Sequence, residues 1–322
     1  MNALNVFELQ RKFPCARVLV VGDLMLDEYL SGSVTRISPE APVPVIDLKS
    51  RRHVAGGAAN VAMNIRTLRG LATIVGLVGC DPSAKILRSL LENANIPTAG
   101  LVESAGRGTI SKTRIVAGQQ QIVRIDSEDR SIPPPELQAA IVATVSKLLP
   151  EHDICILSDY AKGTLTDFVC ASIIKLANES AKQVIVDPKG QGFGKYLGCS
   201  LITPNLLEAG AAVGIAIEVE ADLLEAGRRL RAVLPSSSVL ITRGAEGMTL
   251  FEGAEDPVTV RALARRVFDV VGAGDTVVAT LALALATSLP LPLAMRLANV
   301  AASVVVGKPG TATTTIEELF EN

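Results

Sequence analysis

The chain has 322 residues, glycine and proline counts of 26 and 17, and a formal net charge of -2. These values suit an ordered globular protein that buries most of its apolar surface, and they exclude a low-complexity or broadly nucleic-acid-binding chain. Its five cysteines show no C-x-x-C spacing and its histidines are only His53 and His152, so zinc and disulfide frameworks are excluded and the thiols read as buried in a reducing compartment.

Glu8, Arg11 and Lys12 precede the first apolar run, so the N-terminus does not read as a secretory signal and the protein is placed in the cytoplasm. Apolar β-branched runs at 17–23, 72–79, 154–160, 183–189, 201–205 and 238–244 read as strands buried on both faces. Helical patterns lie between them at 58–68, 83–93, 135–149, 166–180 and 221–233. This alternation predicts a single α/β domain over 1–322, built on a mostly parallel, doubly wound sheet. Two segments break the rhythm: 28–54, with Gly32, Pro39, Pro42 and Pro44, and 109–126, which alternates around Ala117-Gly118. They predict a small β element projecting from the sheet as a lid, the alternative being an ordinary surface excursion. Residues 276–295 carry no charge, which suggests a membrane span, but Pro290 and Pro292 divide the run into lengths that suit buried helices.

G-x-x-x-x-G-K-[ST] and G-x-S-x-G are absent, and no strand is followed by G-x-G-x-x-G, which removes P-loop and serine hydrolase readings. DVVGAGDT, at 269–276, places Gly272 and Gly274 directly before Asp275 at the start of a long apolar helix. Glycines there let backbone N–H groups approach an anion, and a carboxylate beside it can take a proton from an attacking hydroxyl, as phosphoryl transfer to an alcohol needs. The alternative is an Asp cap after a glycine turn. Asp23 and Asp27 follow the first strand and either accept hydrogen bonds from sugar hydroxyls or make a turn. Gly56 and Gly57 open the helix that carries Asn60 on its first turn, and Asp187 and Lys189 end the 183–189 run. Asn205 and Glu208, spaced i and i+3, either hold a hydrated Mg²⁺ on nucleotide phosphates or form a capping box. Thr242, Arg243, Gly244 and Gly247 frame a nucleotide or a hairpin.

GGAAN, NLLE, TRGAEG and DVVGAGDT stand in the order and spacing of the ribokinase-like (PfkB) carbohydrate kinases, and the chain resembles that family from Val18 to Gly310. The resemblance implies a three-layer α/β/α sandwich with a β lid, and transfer of the γ-phosphoryl of ATP to a sugar hydroxyl. It implies Asp275 as catalytic base, with Gly272, Ala273 and Gly274 as anion hole. It also implies Mg²⁺ near Asn205 and Glu208, and adenine beside Asn299 and Ser303, and it leaves a monovalent cation open.

RISPEAPVPVIDL (36–48), KTRIVAGQQQIVRID (112–126), SDYAKGTL (158–165) and DPKG (187–190) are similar to the kinase part of the heptose enzymes of lipopolysaccharide biosynthesis. This implies D-glycero-β-D-manno-heptose 7-phosphate as substrate, its C1 hydroxyl as acceptor and the 1,7-bisphosphate as product. Such a substrate calls for cations, for which Lys112, Arg114, Arg124, Lys162 and Lys189 are candidates. The chain ends shortly after GKPGT, which reads as a stand-alone kinase. Relatives that dimerise through such lids make a homodimer expected, with Ile37, Val43, Val45 and Ile46 as apolar material. Val271 departs from the small hydroxyl residue many relatives carry before the Gly-Ala-Gly turn. Another sugar or nucleoside kinase of this fold, and a non-catalytic nucleotide or sugar sensor, are the alternatives.

Overall fold

Runs rich in valine, isoleucine and leucine without polar alternation form strands that must be covered on both faces. In the computed structural model, which describes residues 6–118, 120–253, 255–263 and 267–321, such runs form a nine-stranded sheet. Helix α1 (Val6–Lys12) leads into β1 (Arg17–Gly22). The hairpin β2 (Leu24–Ile37) and β3 (Pro44–Gly57) then leaves the sheet, and α2 (Ala58–Thr67) returns to it. β4 (Leu71–Gly79), α3 (Pro82–Asn93) and β5 (Leu101–Ser104) extend one side, followed by a second hairpin, β6 (Ile110–Ala117) and β7 (Gln120–Ser127). The other side comprises α4 (Pro135–Leu148), β8 (Ile154–Ser158), α5 (Asp167–Glu179), β9 (Gln183–Asp187) and β10 (Leu201–Ile202). It continues through α6 (Leu206–Val213), α7 (Glu220–Val233) and β11 (Ser238–Thr242). β12 (Met248–Phe251) and β13 (Val258–Val260) complete that edge, before α8 (Ala273–Ala286) and α9 (Leu291–Val305).

The strand order is β13-β12-β11-β10-β9-β8-β1-β4-β5, parallel except for β12 and β13. β1 pairs with both β8 and β4, so the winding reverses there and opens a crevice at the carboxyl ends of the central strands. Ile65, Leu281 and Met295 fill the core under α2, α8 and α9, and Ile141, Ile173 and Leu230 fill the core on the opposite face. The result is the three-layer α/β/α sandwich. β10 is shorter than the predicted 201–205, because Pro204 has no N–H to continue the ladder. The uncharged C-terminal run is explained by burial: α8 is apolar around its circumference and is covered by α2 and α9. No helix among the described residues is long and apolar enough to cross a membrane.

The two hairpins make a separate four-stranded sheet, ordered β3-β2-β6-β7. Residues opposite one another across strands share a face. Asp27, Lys112 and Asp126 are aligned, as are Tyr29, Arg114 and Arg124, which gives one polar face. Leu30, Ile115 and Val123 line the other face with Ile125, and the last two are 45% and 54% exposed. Gln119, within the predicted hairpin, lies outside the described residues.

Candidate active site

The N-cap of helix α8 is Gly272, which takes φ +81° and supplies no side-chain cap. A methyl group there would lie 2.9 Å from Asn60 Nδ2, so this glycine is required by the fold itself. Gly274 differs: its φ is not positive and a Cβ would meet nothing within 4 Å. Its lack of a side chain therefore keeps open the space in front of the helix. The N–H groups of Gly274 and Asp275 meet no acceptor among the described residues, and the helix dipole adds positive potential there. Ala273 is a correction to the expected anion hole, because its N–H closes a turn onto the Val270 carbonyl at 3.3 Å.

This contrast gives a test. Gly274→Ala should keep or slightly raise thermal stability, since alanine favours a helix by up to about 1 kcal/mol. It should lower kcat/KM for the nucleotide by about tenfold or more by filling the anion space. Equal loss of stability and activity would contradict this reading.

Asp275 is 5% exposed and receives two hydrogen bonds, from the Tyr160 hydroxyl to Oδ1 and from Asn60 Nδ2 to Oδ2 at 2.6 Å. One turn along α2, Asn64 Oδ1 accepts from the Thr276 hydroxyl at 2.8 Å, so two asparagines on one helical face fix the first turn of α8. Burial raises the Asp275 carboxyl to about 6, against the lowering effect of Tyr160 and Asn60. It is ionised at neutral pH yet basic enough to take a proton. Asn60 was expected to touch a ligand; its amide is instead committed to Asp275, and the residue is 2% exposed.

Asp23 also departs from expectation. It is fully buried, and its carboxylate accepts the N–H groups of Tyr160, Lys162 and Thr164 at 2.9, 3.0 and 2.9 Å, leaving no path to a sugar. Asp159 Oδ1 accepts the Ala161 N–H at 2.6 Å, while its Oδ2 binds Lys195 Nζ and the Tyr196 hydroxyl. The 159–164 loop is thus held from two sides, and Ala161 is kept at φ +55°. Asp27 differs from Asp23: its Oδ1 binds Arg114, and its Oδ2 takes no hydrogen bond from the described residues. Gly56 and Gly57 act through packing, since a Cβ would lie 2.5 Å from Asp27 Oδ2 and from the Asp23 carbonyl, respectively.

A cleft beside the α8 terminus is lined by Asp187, Lys189, Asn205, Glu208, Thr242, Gly272, Gly274 and Asp275 from the sequence reading. Pro188, between Asp187 and Lys189, lines it as well, as do Asp159, Tyr160 and Thr203, which were not among the predicted site residues. Asn205 and Glu208 form a reciprocal capping box, with Oδ1 accepting the Glu208 N–H at 2.9 Å and Oε2 accepting the Asn205 N–H at 3.0 Å. Glu208 Oε1 binds Lys189 at 2.6 Å. Asp187 accepts no side-chain hydrogen bond among the described residues. Burial, then the charges of Asp275 and Glu208, hold its carboxyl well above the ordinary range.

An anionic cleft facing a helix N-terminus suits phosphates only if a cation joins them, and the donor set fits Mg²⁺. Among the described residues no three of His, Cys, Asp or Glu converge into a metal cage, and Mg²⁺ needs only one or two carboxylates beside water and phosphate. Asp187 and Glu208 are the available ligands. Asn205 lines the cleft beside them, and its oxygen caps α6 as the Glu208 Oε2 does in return, so the pair forms the capping box that its spacing also allowed.

Other expected contacts lie apart from the cleft. The Arg243 guanidinium is taken up by Glu220, Glu246 and Thr249, and Gly247, at φ +96°, closes the turn into β12. Gly244 opens that turn at φ +56°. Asn299 Nδ2 donates to the Arg261 carbonyl at 2.8 Å, and the Ser303 hydroxyl donates to the Val300 carbonyl at 2.7 Å, so both tie down local backbone. Val271 is 43% exposed.

Of the cations, Arg114 pairs with Asp27 and stacks 5.2 Å from the Tyr29 ring. Arg124 pairs with Asp126, Lys162 with Glu128 and Lys189 with Glu208. Lys112 forms no ion pair among the described residues. Burial, with Lys162 and Arg124 nearby, lowers its ammonium below the ordinary value against the pull of Asp27 and Asp126.

Solved structures share this architecture. Arabidopsis thaliana ribokinase complexed with ribose and ATP superposes with a TM-score of 0.74 at 20% identity, over 95% of this chain and 97% of that one. Escherichia coli phosphofructokinase-2 in complex with potassium gives 0.78 at 21% identity, over 95% and 97%. At these identities the likeness speaks for the ribokinase-like fold. Among sequences, "Bifunctional protein HldE" of Desulfatibacillum aliphaticivorans is 43% identical over 307 residues, which is 95% of this chain and 63% of the relative. The protein of the same name from Geobacter metallireducens is 45% identical over 320 residues, or 99% and 65%. The chain thus spans a little under two thirds of the length of these curated relatives. The family model described as "pfkB family carbohydrate kinase" matches residues 16–318, and with the fold and the glycine-flanked aspartate in place, the chain belongs to the pfkB family of carbohydrate kinases.

Proposed function

We propose that this chain transfers the γ-phosphoryl of ATP to the C1 hydroxyl of D-glycero-D-manno-heptose 7-phosphate, giving the 1,7-bisphosphate. The observation that carries the reading is the buried, still basic Asp275 beside the unfilled N-terminus of α8. Asp275 orients the acceptor hydroxyl and takes its proton as the oxygen attacks. The N–H groups of Gly274 and Asp275 stabilise charge spreading over the transferred phosphoryl. Mg²⁺, when held by Asp187 and Glu208, offsets the phosphate charge. Asp27, through its free Oδ2, accepts from a sugar hydroxyl.

The choice of heptose 7-phosphate is supported by the likeness to proteins named HldE and by the polar face of the small sheet. Lys112, flanked by Lys162 and Arg124, has the chemistry to receive the sugar's phosphate. Lys112→Met should raise KM for the sugar phosphate by roughly 10- to 100-fold, the value of a lost charged hydrogen bond. KM for ATP should hardly move. Equal effects on both would sink this role.

The four-stranded sheet acts as the lid, excluding water as a competing acceptor. Its apolar face, with Val123 and Ile125, is the proposed homodimer surface, and sedimentation tests it. ADP release across a sugar panel tests the substrate: heptose 7-phosphate should be strongly preferred over fructose 6-phosphate, ribose and adenosine. Preference for one of those would replace it, and no ADP release with any sugar would favour a sensor.

A further inference from the structure

Tyr160 lies in the loop after β8, far in sequence from Asp275, yet its hydroxyl donates to Asp275 Oδ1. The surrounding structure is organised to produce that contact. Asp23 binds three backbone N–H groups of the loop, Asp159 binds a fourth, and Lys195 and Tyr196 fix Asp159 in turn. Such an investment in one short loop, including an alanine at positive φ, is more than a surface connection requires.

We propose that Tyr160 is a positioning residue for the base: it aims the Asp275 carboxylate at the acceptor hydroxyl, and Asp23 acts through it by fixing the loop. This rests on the reading of Asp275 as base. Tyr160 holds one oxygen and Asn60 the other, so the carboxylate plane is set from both sides while each oxygen keeps a lone pair for the acceptor hydroxyl. Burial and the negative charge of Asp275 keep the phenol protonated, so Tyr160 is the donor. The other groups facing Asp275 are Asp27 from β2, Asn60 from α2 and Asp187 from β9, and α8 carries no further charged residue. With burial and the charge of Asp27 opposing its ionisation, Asp275 is held as a carboxylate by its two donors.

The test is the pH profile of kcat and kcat/KM for Tyr160→Phe, which keeps the ring and removes only the donor. The plateau kcat should fall about tenfold and the acid limb should move up by about one pH unit, because the charged form of Asp275 loses a donor, with little change in KM for the sugar. Carboxyl ¹³C NMR of the free protein, with Asp275→Asn to assign the signal, should show the same upward shift without any turnover. If Tyr160→Phe folds poorly, 3,5-difluorotyrosine at 160 offers a stronger donor and should move the limb to lower pH. An unmoved limb with an inactive Asp275→Asn overturns the role of Tyr160 alone. A change confined to KM overturns it in favour of direct sugar contact. Normal turnover by Asp275→Asn overturns the base reading and this proposal together.

Discussion

Asp275→Asn is expected to lower kcat by roughly 10²- to 10⁴-fold, the range for loss of a general base, and at the same time to make the protein more heat-stable. The two effects share one cause. Asp275 is buried beside Asp27, and its folded-state value of about 6 lies above that of an ordinary aspartate. For a raised carboxyl, the folded state holds the proton more tightly than the unfolded chain. The stabilisation from that proton is fully present below the unfolded value and is lost as pH rises through about 6. At neutral pH the ionised carboxylate therefore weakens the fold, by an amount on the order of 2–3 kcal/mol. An amide removes that term, but Asn60 must then turn its own amide over to avoid facing a second donor. The net gain should be about 1–2 kcal/mol. Thermal unfolding of wild type and variant at pH 7.5 and pH 5 reads it: the variant should melt higher at pH 7.5, and the gap should narrow at pH 5. A variant that melts lower at both pH values would show that the hydrogen bonds of Asp275 outweigh its desolvation.

Asp23→Ala should be the more damaging change for the fold. Three backbone N–H groups in a fully buried place would lose their acceptor at once. An unsatisfied buried donor costs about 1–3 kcal/mol, and water entering the space left by the side chain recovers part of that. A loss of roughly 3–5 kcal/mol is expected in denaturant unfolding. Asp23→Asn retains one acceptor oxygen and should lose less. What activity survives should show the acid-limb shift of Tyr160→Phe, because the loop no longer holds the phenol in place. Near-normal stability with a large rise in KM for the sugar would instead return Asp23 to the substrate-contacting role expected from its position after β1.

That reversal shows where sequence reading stops. The parallel strands were legible because burial on both faces leaves continuous apolar runs, and α8 because two prolines limit an uncharged stretch. The pairing of a carboxylate with a glycine turn was legible in DVVGAGDT because both lie within one helical turn. Gly272 and Gly274 look alike in sequence, yet only the structure separates a glycine needed for backbone conformation from one that keeps space open. An aspartate at a strand end reads the same whether it receives a sugar or three backbone amides, and Asp23 does the latter. Tyr160 lay inside a recognised segment, SDYAKGTL, but its partner is on α8 and no local pattern links them. Likewise, Arg243 and Asn299 carry groups suited to nucleotides, and tertiary neighbours far along the chain have already taken those groups up.

The most direct test of the central claim is ³¹P NMR of the product formed from ATP and D-glycero-D-manno-heptose 7-phosphate by the wild-type chain, with Asp275→Asn in parallel. The account predicts one ADP per sugar and a new anomeric phosphate at C1 beside the retained 7-phosphate, with almost none formed by the variant. A phosphate on another hydroxyl, no product from this sugar while another sugar is phosphorylated, or equal product from the variant would contradict it.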